Sequence, residues 1–360
     1  MVLGIESSCD DTCCAVVDEN RAILSDCRHS QFEQHLRYGG VIPTIARVMH
    51  AKCIESVVRN ALNEAKIGLE SIDAIAVSNK PGLPFSLLVG TEYAKRLSLK
   101  YKIPLIPIHH MEAHALIASL SFSQLNFPFL TLLISGGHCQ LLLVKHLNQF
   151  IQLGQTLDCA PGEMLDKIAR RLKVTNLGAP YDQVSGGRAI ELLAAHGNPN
   201  SYSNLLQSSQ KSEKLNCNFC FSGMRSNILN LVKKLESESN MPVDCPVPQI
   251  ADIAASIQYA IYLYLLDRIN NAVKFIETSD ILSCECENFS IVARDYTIKW
   301  PLKLPLVISG GVACNRYLTQ SFKNYYENNE SNFTQIEVMV PEKKVRQIYH
   351  QNLLNLIKYN

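Results

Sequence analysis

Between Ile103 and Leu120 an apolar β-type run, Ile103-Pro104-Leu105-Ile106-Pro107-Ile108, passes through His109 and His110 into an alanine- and leucine-rich helical stretch from Met111. A strand that turns directly into a helix is a building block of α/β folds, and the ends of such strands are where those folds place their chemistry. On a helix His110 and His114 stand four residues apart, so both imidazoles leave one face about a turn apart and can share one divalent ion. Helix-start histidines bonded to backbone are the commoner origin of that spacing. The position at a strand–helix junction, with His109 as a supporting donor, favours the metal. The stretch also excludes one hydrolase class. A zinc protease of the His-Glu-x-x-His type needs its glutamate next to the first histidine, whereas Glu112 lies roughly 200° round the helix from His110.

The 360 residues leave room for two ordinary domains. A net charge of +1 without a basic run means that a nucleic-acid partner must be met by a local patch. No apolar stretch approaches the roughly 20 residues that span a bilayer, so no membrane role is expected. Met1 leads straight into Val2-Leu3-Gly4-Ile5 with neither a secretory signal nor an Arg-rich transit peptide. Thirteen cysteines in that context read as reduced thiols. Cys217-x-x-Cys220 and Cys284-x-Cys286 have metal-like spacing, but they lie far apart in unlike surroundings and make a poor zinc site.

Taken in order, Val2 to Glu6 is a strand, Ser7 to Thr12 a polar turn and Cys13 to Val17 a second strand. This is a hairpin with oxygen ligands at its tip, able to hold Mg²⁺ or abut a phosphate. A helix is expected from Ile42 to Lys66 after Tyr38-Gly39-Gly40, a strand from Ile72 to Ser78, and a helix to about Lys100. After a linker, Ser121 to Asn126, the pattern restarts. Phe129 to Ile134 ends in Ser135-Gly136-Gly137-His138, with Gln140 to Val144 as hairpin partner. Later Leu306-Val307-Ile308 ends in Ser309-Gly310-Gly311-Val312 and leads through Asn315 into a helix. Each Ser-Gly-Gly turn offers bare backbone N–H groups to a phosphate. Two of them, with the N-terminal hairpin, suggest two similar lobes gripping a nucleotide. Asp158 and Asp166 are candidate ribose or metal ligands, unless they only favour helix N-termini. Phe219 to Gly223 reads as an aromatic strand and turn, Pro248 to Glu277 as a long helix, and Thr278 to Trp300 as a surface insertion.

The segments Gly4–Thr12, Tyr38–Pro43, His109–His114, Leu132–His138, Leu157–Lys167, Ser185–Gly187, Phe219–Gly223 and Ser309–Arg316 together resemble the tRNA adenosine threonylcarbamoyltransferases, in the same order. The wording around Asp11, His110 and Met164 is most similar to the mitochondrial branch. The resemblance implies a two-lobed α/β fold of the actin-like, ribonuclease-H-like kind with a nucleotide cleft between the lobes. The lobes would be 1–125 and 126–340, followed by a divergent tail, 341–360. It implies transfer of a threonylcarbamoyl group from threonylcarbamoyl-adenylate, made by a separate synthase, to N6 of adenosine 37 in tRNAs reading ANN codons. His110 and His114 would hold a divalent ion, iron or zinc. Ile134, Ser135, Gly136, Gly137 and His138 would line the carbamoyl and phosphate groups, and Asp166, Gly187 and Asn315 the adenylate. Asp10 and Asp11 would face the reacting centre. A mitochondrial location is implied, with the cytoplasm as alternative because no transit peptide is visible, and a homodimer is one partner expected.

One departure stands out. The family places a third metal ligand in a Cys-Thr-Asp-Asn-Gly segment after a strand like Ile336 to Val340. Here Pro341 is followed by Glu342-Lys343-Lys344, and no aspartate occurs after Asp295. Neither Glu342 nor His350 has a spacing that replaces it. Two histidines alone should hold a metal weakly and unselectively. Two other classes stay open: an actin-like ATPase or small-molecule kinase, which leaves the histidine pair unexplained, and a non-catalytic binding homologue.

Overall fold

The computed structural model describes residues 1–20, 22–36, 38, 40–116, 118–122, 124–147, 149–203, 216–239, 242, 244–279, 303–329 and 335–341. The expected insertion from residue 280 on, Cys284, Cys286 and all of the divergent tail after Pro341 (Glu342 and His350 included) lie outside them. The described chain forms two units, one built on Met1–Gln124 and one on Leu125–Val340.

The first unit holds strands β1 (Val2–Glu6), β2 (Asp11–Val17), β3 (Ile23–Ser30), β4 (Ala74–Lys80) and β5 (Leu105–His109). They form one sheet in the order β3-β2-β1-β4-β5. β1 is antiparallel to β2 and parallel to β4; β2 and β3 are antiparallel, β4 and β5 parallel. Every residue of β1 is buried, as a central strand covered on both faces requires. Helices α1 (Phe32–Leu36), α2 (Pro43–Ala65), α3 (Pro84–Tyr101), α4 (His110–Leu116) and α5 (Ala118–Ser121) complete the unit. Proline opens α2 and α3, where its missing N–H costs nothing. Both helices stop at a lysine in the left-handed conformation, Lys66 at φ 56° and Lys102 at φ 60°. Ile54, Val57, Val58 and Ala61 of α2 pack on Leu3, Ile5, Val16 and Ile75 of the sheet.

The second unit repeats that sheet. β6 (Phe129–Ile134), β7 (Cys139–His146), β8 (Gln149–Gln155), β9 (Lys303–Ser309) and β10 (Gln335–Met339) run in the order β10-β9-β6-β7-β8. β6 is antiparallel to β7 and parallel to β9, so β6 to β10 correspond one for one to β1 to β5. Around them lie α6 (Pro161–Arg171), α7 (Gly186–Ala194), α8 (Ser222–Ser239), α9 (Ile250–Thr278) and α10 (Arg316–Asn328). The long α9 carries the largest share of the core, from Ile253 and Ile257 to Leu265 and Ile269.

Several boundaries differ from the sequence expectation. The N-terminal turn is shorter, because Asp11 and Thr12 already pair with Ser30 and His29 in β2. β3 and β8 were not expected: Ile23–Ser30 and Gln149–Gln155 are edge strands too polar to show clean alternation. The aromatic stretch is not a strand of the sheet. Phe219 makes one isolated parallel bridge to Thr156, and Ser222 opens α8. Phe219 and Phe221 are fully buried against Tyr264, each worth about 2–3 kcal/mol of burial. The hydroxyl of Tyr264 accepts from Cys220 N–H at 2.8 Å between them.

Candidate functional site

In the first unit the chemistry gathers at the carboxyl ends of β1, β4 and β5. β5 ends at His109 and α4 begins at His110, so the next turn carries His114 on the same face. The two rings meet edge to face with centroids 4.6 Å apart, and both residues are nearly buried. Behind His110 stands Glu6, the last residue of β1 and only 2% exposed. Its Oε2 lies 3.1 Å from His110 Nδ1 and accepts from the Ser78 hydroxyl of β4, while Oε1 accepts from Ser8 N–H. Ser8 Oγ is a further 3.3 Å neighbour of His110 Nδ1. Burial alone would raise the Glu6 carboxyl, but the His110 charge and these hydrogen bonds outweigh it and hold it well below the usual carboxylate range.

Sequence reasoning passed over Glu6, which stands against His110. His109 has its Nδ1 buried without a hydrogen-bond partner among the described residues. The one sequence signal was a carboxylate ending an otherwise apolar strand, Val2-Leu3-Gly4-Ile5-Glu6. Glu112 is half-buried; burial raises its carboxyl and the Lys80 ammonium opposes that.

Of the two N-terminal acids, Asp11 is committed to Arg28 of β3 at 3.2 Å. Burial pushes its carboxyl up, against the pull of Arg28. Asp10 stays in the turn, half-buried. That turn is braced from α2. His50 Nε2–H donates to the Cys9 carbonyl at 3.0 Å, leaving Nδ1 to accept from Thr12 Oγ1 at 2.6 Å, and Thr12 Oγ1 accepts from the Cys53 thiol. Burial lowers the His50 pKa, which suits this neutral tautomer. From the other side α3 docks on Ser8: Leu83 N–H donates to the Ser8 carbonyl at 2.7 Å, and a Cβ on Gly82 would stand 2.6 Å from that oxygen.

As a donor set for a metal, His110 and His114 fit in part. Two imidazoles share a face, and a carboxylate occupies the far nitrogen of one. Among the described residues no group of three His, Cys, Asp or Glu side chains completes a coordination set.

In the second unit the two Ser-Gly-Gly turns lie side by side, because Leu133 of β6 pairs with Ser309 of β9 in parallel register. The first turn closes on itself: Ser135 N–H donates to the His138 carbonyl at 2.8 Å and His138 N–H to Ser135 Oγ at 3.0 Å. Its carbonyls receive the opening N–H groups of α6, Gly162 to Ser135 and Glu163 to Gly136. Those helix amides are therefore occupied, and what remains for a ligand is the space over Gly136, Gly137 and Gly311, where an added Cβ would meet nothing within 4 Å.

Asp166 and Gly187 are brought together: Gly187 N–H donates to Asp166 Oδ1 at 3.1 Å. Burial pushes the Asp166 carboxyl up, while Gly187, Arg170 and Gly186 oppose it. Asn315 caps α10, its Oδ1 accepting from Leu318 N–H at 3.1 Å and its amide donating to Gln258 Oε1. Glu191 links the two groups, accepting from Arg316 N–H at 2.8 Å and pairing with Arg188 at 2.6 Å. Sequence reasoning missed Glu191, although its spacing three residues after Arg188 was visible.

For Asp158 the helix-terminus alternative fits: it accepts from Cys159, Phe221 and Ser222 N–H at 2.6, 2.9 and 2.9 Å, and so caps α8. Burial alone would raise its carboxyl, and these backbone donors bring it below the ordinary value. Cys217 is buried and Cys220 exposed.

The family model described as tRNA N6-adenosine threonylcarbamoyltransferase matches residues 22–344. The chain belongs to that family. The mitochondrial tRNA N6-adenosine threonylcarbamoyltransferase of Xenopus tropicalis is 41% identical over 93% of this chain and 76% of its own length. The bacterial enzyme of Orientia tsutsugamushi (strain Boryong) is 40% identical over 90% of this chain and 84% of its own. Among solved structures, component A of the Acidaminococcus fermentans (R)-2-hydroxyglutaryl-CoA dehydratase aligns over 99% of this chain and 98% of its own at a TM-score of 0.51 and 13% identity. That likeness shows the two-lobed α/β fold of the actin-like class and nothing of activity.

Proposed function

We propose that this chain transfers the threonylcarbamoyl group of threonylcarbamoyl-adenylate, supplied by a separate synthase, to N6 of adenosine 37 in tRNAs reading ANN codons, in mitochondria. Membership of the family and the mitochondrial names of the relatives support the reaction and the compartment. The structural observation that carries it is the pairing of Leu133 with Ser309, which sets two side-chain-free turns next to each other.

In the reaction the adenosine amine attacks the carbamoyl carbon, the bond from that carbon to the phosphate oxygen breaks, AMP leaves and the amine gives up a proton. An exocyclic amine is a weak nucleophile, so placement and charge stabilisation supply most of the acceleration. The cradle of Ile134 to His138 and Gly311 takes the phosphate and carbamoyl groups. Asp166, through Gly187, fixes the α6–α7 corner for the adenylate, and Asn315 fixes the start of α10. Of the two acids Asp10 is the one assigned to take the proton, since Asp11 is tied to Arg28. His110 and His114 would hold a divalent ion, iron or zinc, which would supply Lewis acidity.

A homodimer is the assembly proposed for this chain. Light scattering at micromolar concentration tests it, and a monomer there rejects it.

Calorimetric titration with threonylcarbamoyl-adenylate tests the function. One site per chain, with no ATP-dependent phosphorylation of small metabolites, agrees with it. Phosphoryl transfer without adenylate binding supports the kinase class instead.

A further inference from the structure

We propose that His50 is a positioning residue for the N-terminal turn: from α2 it holds the Cys9 carbonyl and so fixes where the next residue, Asp10, stands. The inference rests on the reading of Asp10 as the acid that takes the proton, and extends it to a residue on another element.

Cys9 and Asp10 lie beyond the β1–β2 ladder, which closes at Glu6 and Cys13. Their backbone groups must find partners elsewhere. His50 comes from α2 and is fully buried. A buried imidazole is costly unless hydrogen-bonded, and packing on the sheet is met by apolar side chains of the same helix such as Ile54 and Val57. Both ring nitrogens have fixed partners. A carbonyl only accepts, so Nε2 carries the proton and donates to the Cys9 carbonyl at 3.0 Å. Nδ1 then accepts from Thr12 Oγ1 at 2.6 Å, and that oxygen accepts from the Cys53 thiol at 3.1 Å. Every donor points one way, from Cys53 through Thr12 and His50 to Cys9. The ring cannot turn without leaving a buried group unpaired. Cys53 follows His50 by three residues on α2, so one helix face supplies both the ring and the thiol that serves its partner. His50 is a strut between that helix and the residue before Asp10.

The test compares His50→Asn and His50→Gln in the full chain. The glutamine amide reaches about as far as Nε2, whereas the asparagine amide ends near Nδ1 and falls short of the Cys9 carbonyl. The local readout is alkylation of Cys9 by iodoacetamide, mapped by peptide mass spectrometry, with the exposed Cys220 as reference. His50→Asn speeds Cys9 alkylation about tenfold relative to Cys220. It lowers kcat for threonylcarbamoyl transfer about 10- to 100-fold, with KM for the adenylate within about threefold of the parent. His50→Gln brings both rates back to within about threefold. An unchanged Cys9 rate in His50→Asn overturns the proposal, as does equal damage in the glutamine variant. A faster Cys9 with kcat within about threefold of the parent overturns the link to Asp10. Should His50→Asn not fold, ¹⁵N NMR of the parent decides: a proton on Nε2 of His50 agrees, and one on Nδ1 overturns. If Asp10→Asn transfers as fast as the parent, the reading of Asp10 fails, and if the parent transfers nothing, the reaction itself fails. In either case the Cys9 rate still decides whether His50 holds the turn.

Discussion

Gly310 lies against the carbonyl of Ile134: a Cβ there would stand 2.3 Å from that oxygen, and φ is +101°. Only glycine meets both demands, so the second Ser-Gly-Gly turn is fixed to the end of β6 by backbone alone. The first unit repeats the contact at the matching strand, where Gly82 crowds the Ser8 carbonyl.

Gly310→Ala should therefore cost about 2–4 kcal/mol. Gly311→Ala, in open space, should stay within about 0.5 kcal/mol of the parent yet weaken adenylate binding. Urea unfolding with calorimetric titration separates the two. Equal stability losses would show that the turns are not joined in this way.

Asp158→Ala should destabilise by about 1–2 kcal/mol, because three backbone donors lose their acceptor. Adenylate affinity should be unchanged. A large loss of affinity with full stability would return Asp158 to the binding site.

Glu236 of α8 pairs with Arg171 and Lys173, and hydrogen bonds from Arg171 above all hold its carboxyl down at about 2 against an ordinary 4.5. A carboxyl lower in the folded state gives stability that is complete above the ordinary value and is lost as pH falls from 4.5 toward about 2. Glu236→Gln should cost about 1 kcal/mol at neutral pH and nothing at the acid end. Thermal melts across that range check the slope, and a constant difference between variant and parent contradicts it.

With two imidazoles and no third ligand found among the described residues, the dialysed chain should retain well under one metal ion. A version with a Cys-Thr-Asp-Asn-Gly segment after Pro341 should retain about one. Elemental analysis decides, and equal stoichiometric metal in both refutes the claim.

Much of the fold was legible because its strands are buried runs ending in marked corners. Phe129–Ile134 before Ser135, and Leu306–Ile308 before Ser309, carry apolar continuity and glycine punctuation together. β3 and β8 were not legible, since an edge strand held by backbone pairing need not alternate. The candidate site was legible where a motif spells it, as with the strand–helix junction that sets His110 and His114 on one face. Roles set by distant contacts were not. Asp158 meets α8 more than sixty residues on, and Glu6 meets His110 across two strands, and neither spacing leaves a periodic trace. The same limit hid the commitment of Asp11 to Arg28, which depends on the register of an unexpected strand.

The central claim is group transfer, and one assay meets it directly. The chain is incubated with preformed threonylcarbamoyl-adenylate, an ANN-reading tRNA transcript and added iron(II) or zinc, and the digested nucleosides are weighed by mass spectrometry. The account predicts threonylcarbamoyladenosine at position 37, falling about 100-fold or more when His110 and His114 are both alanine. No product from the parent chain, or equal product from the double variant, would contradict it.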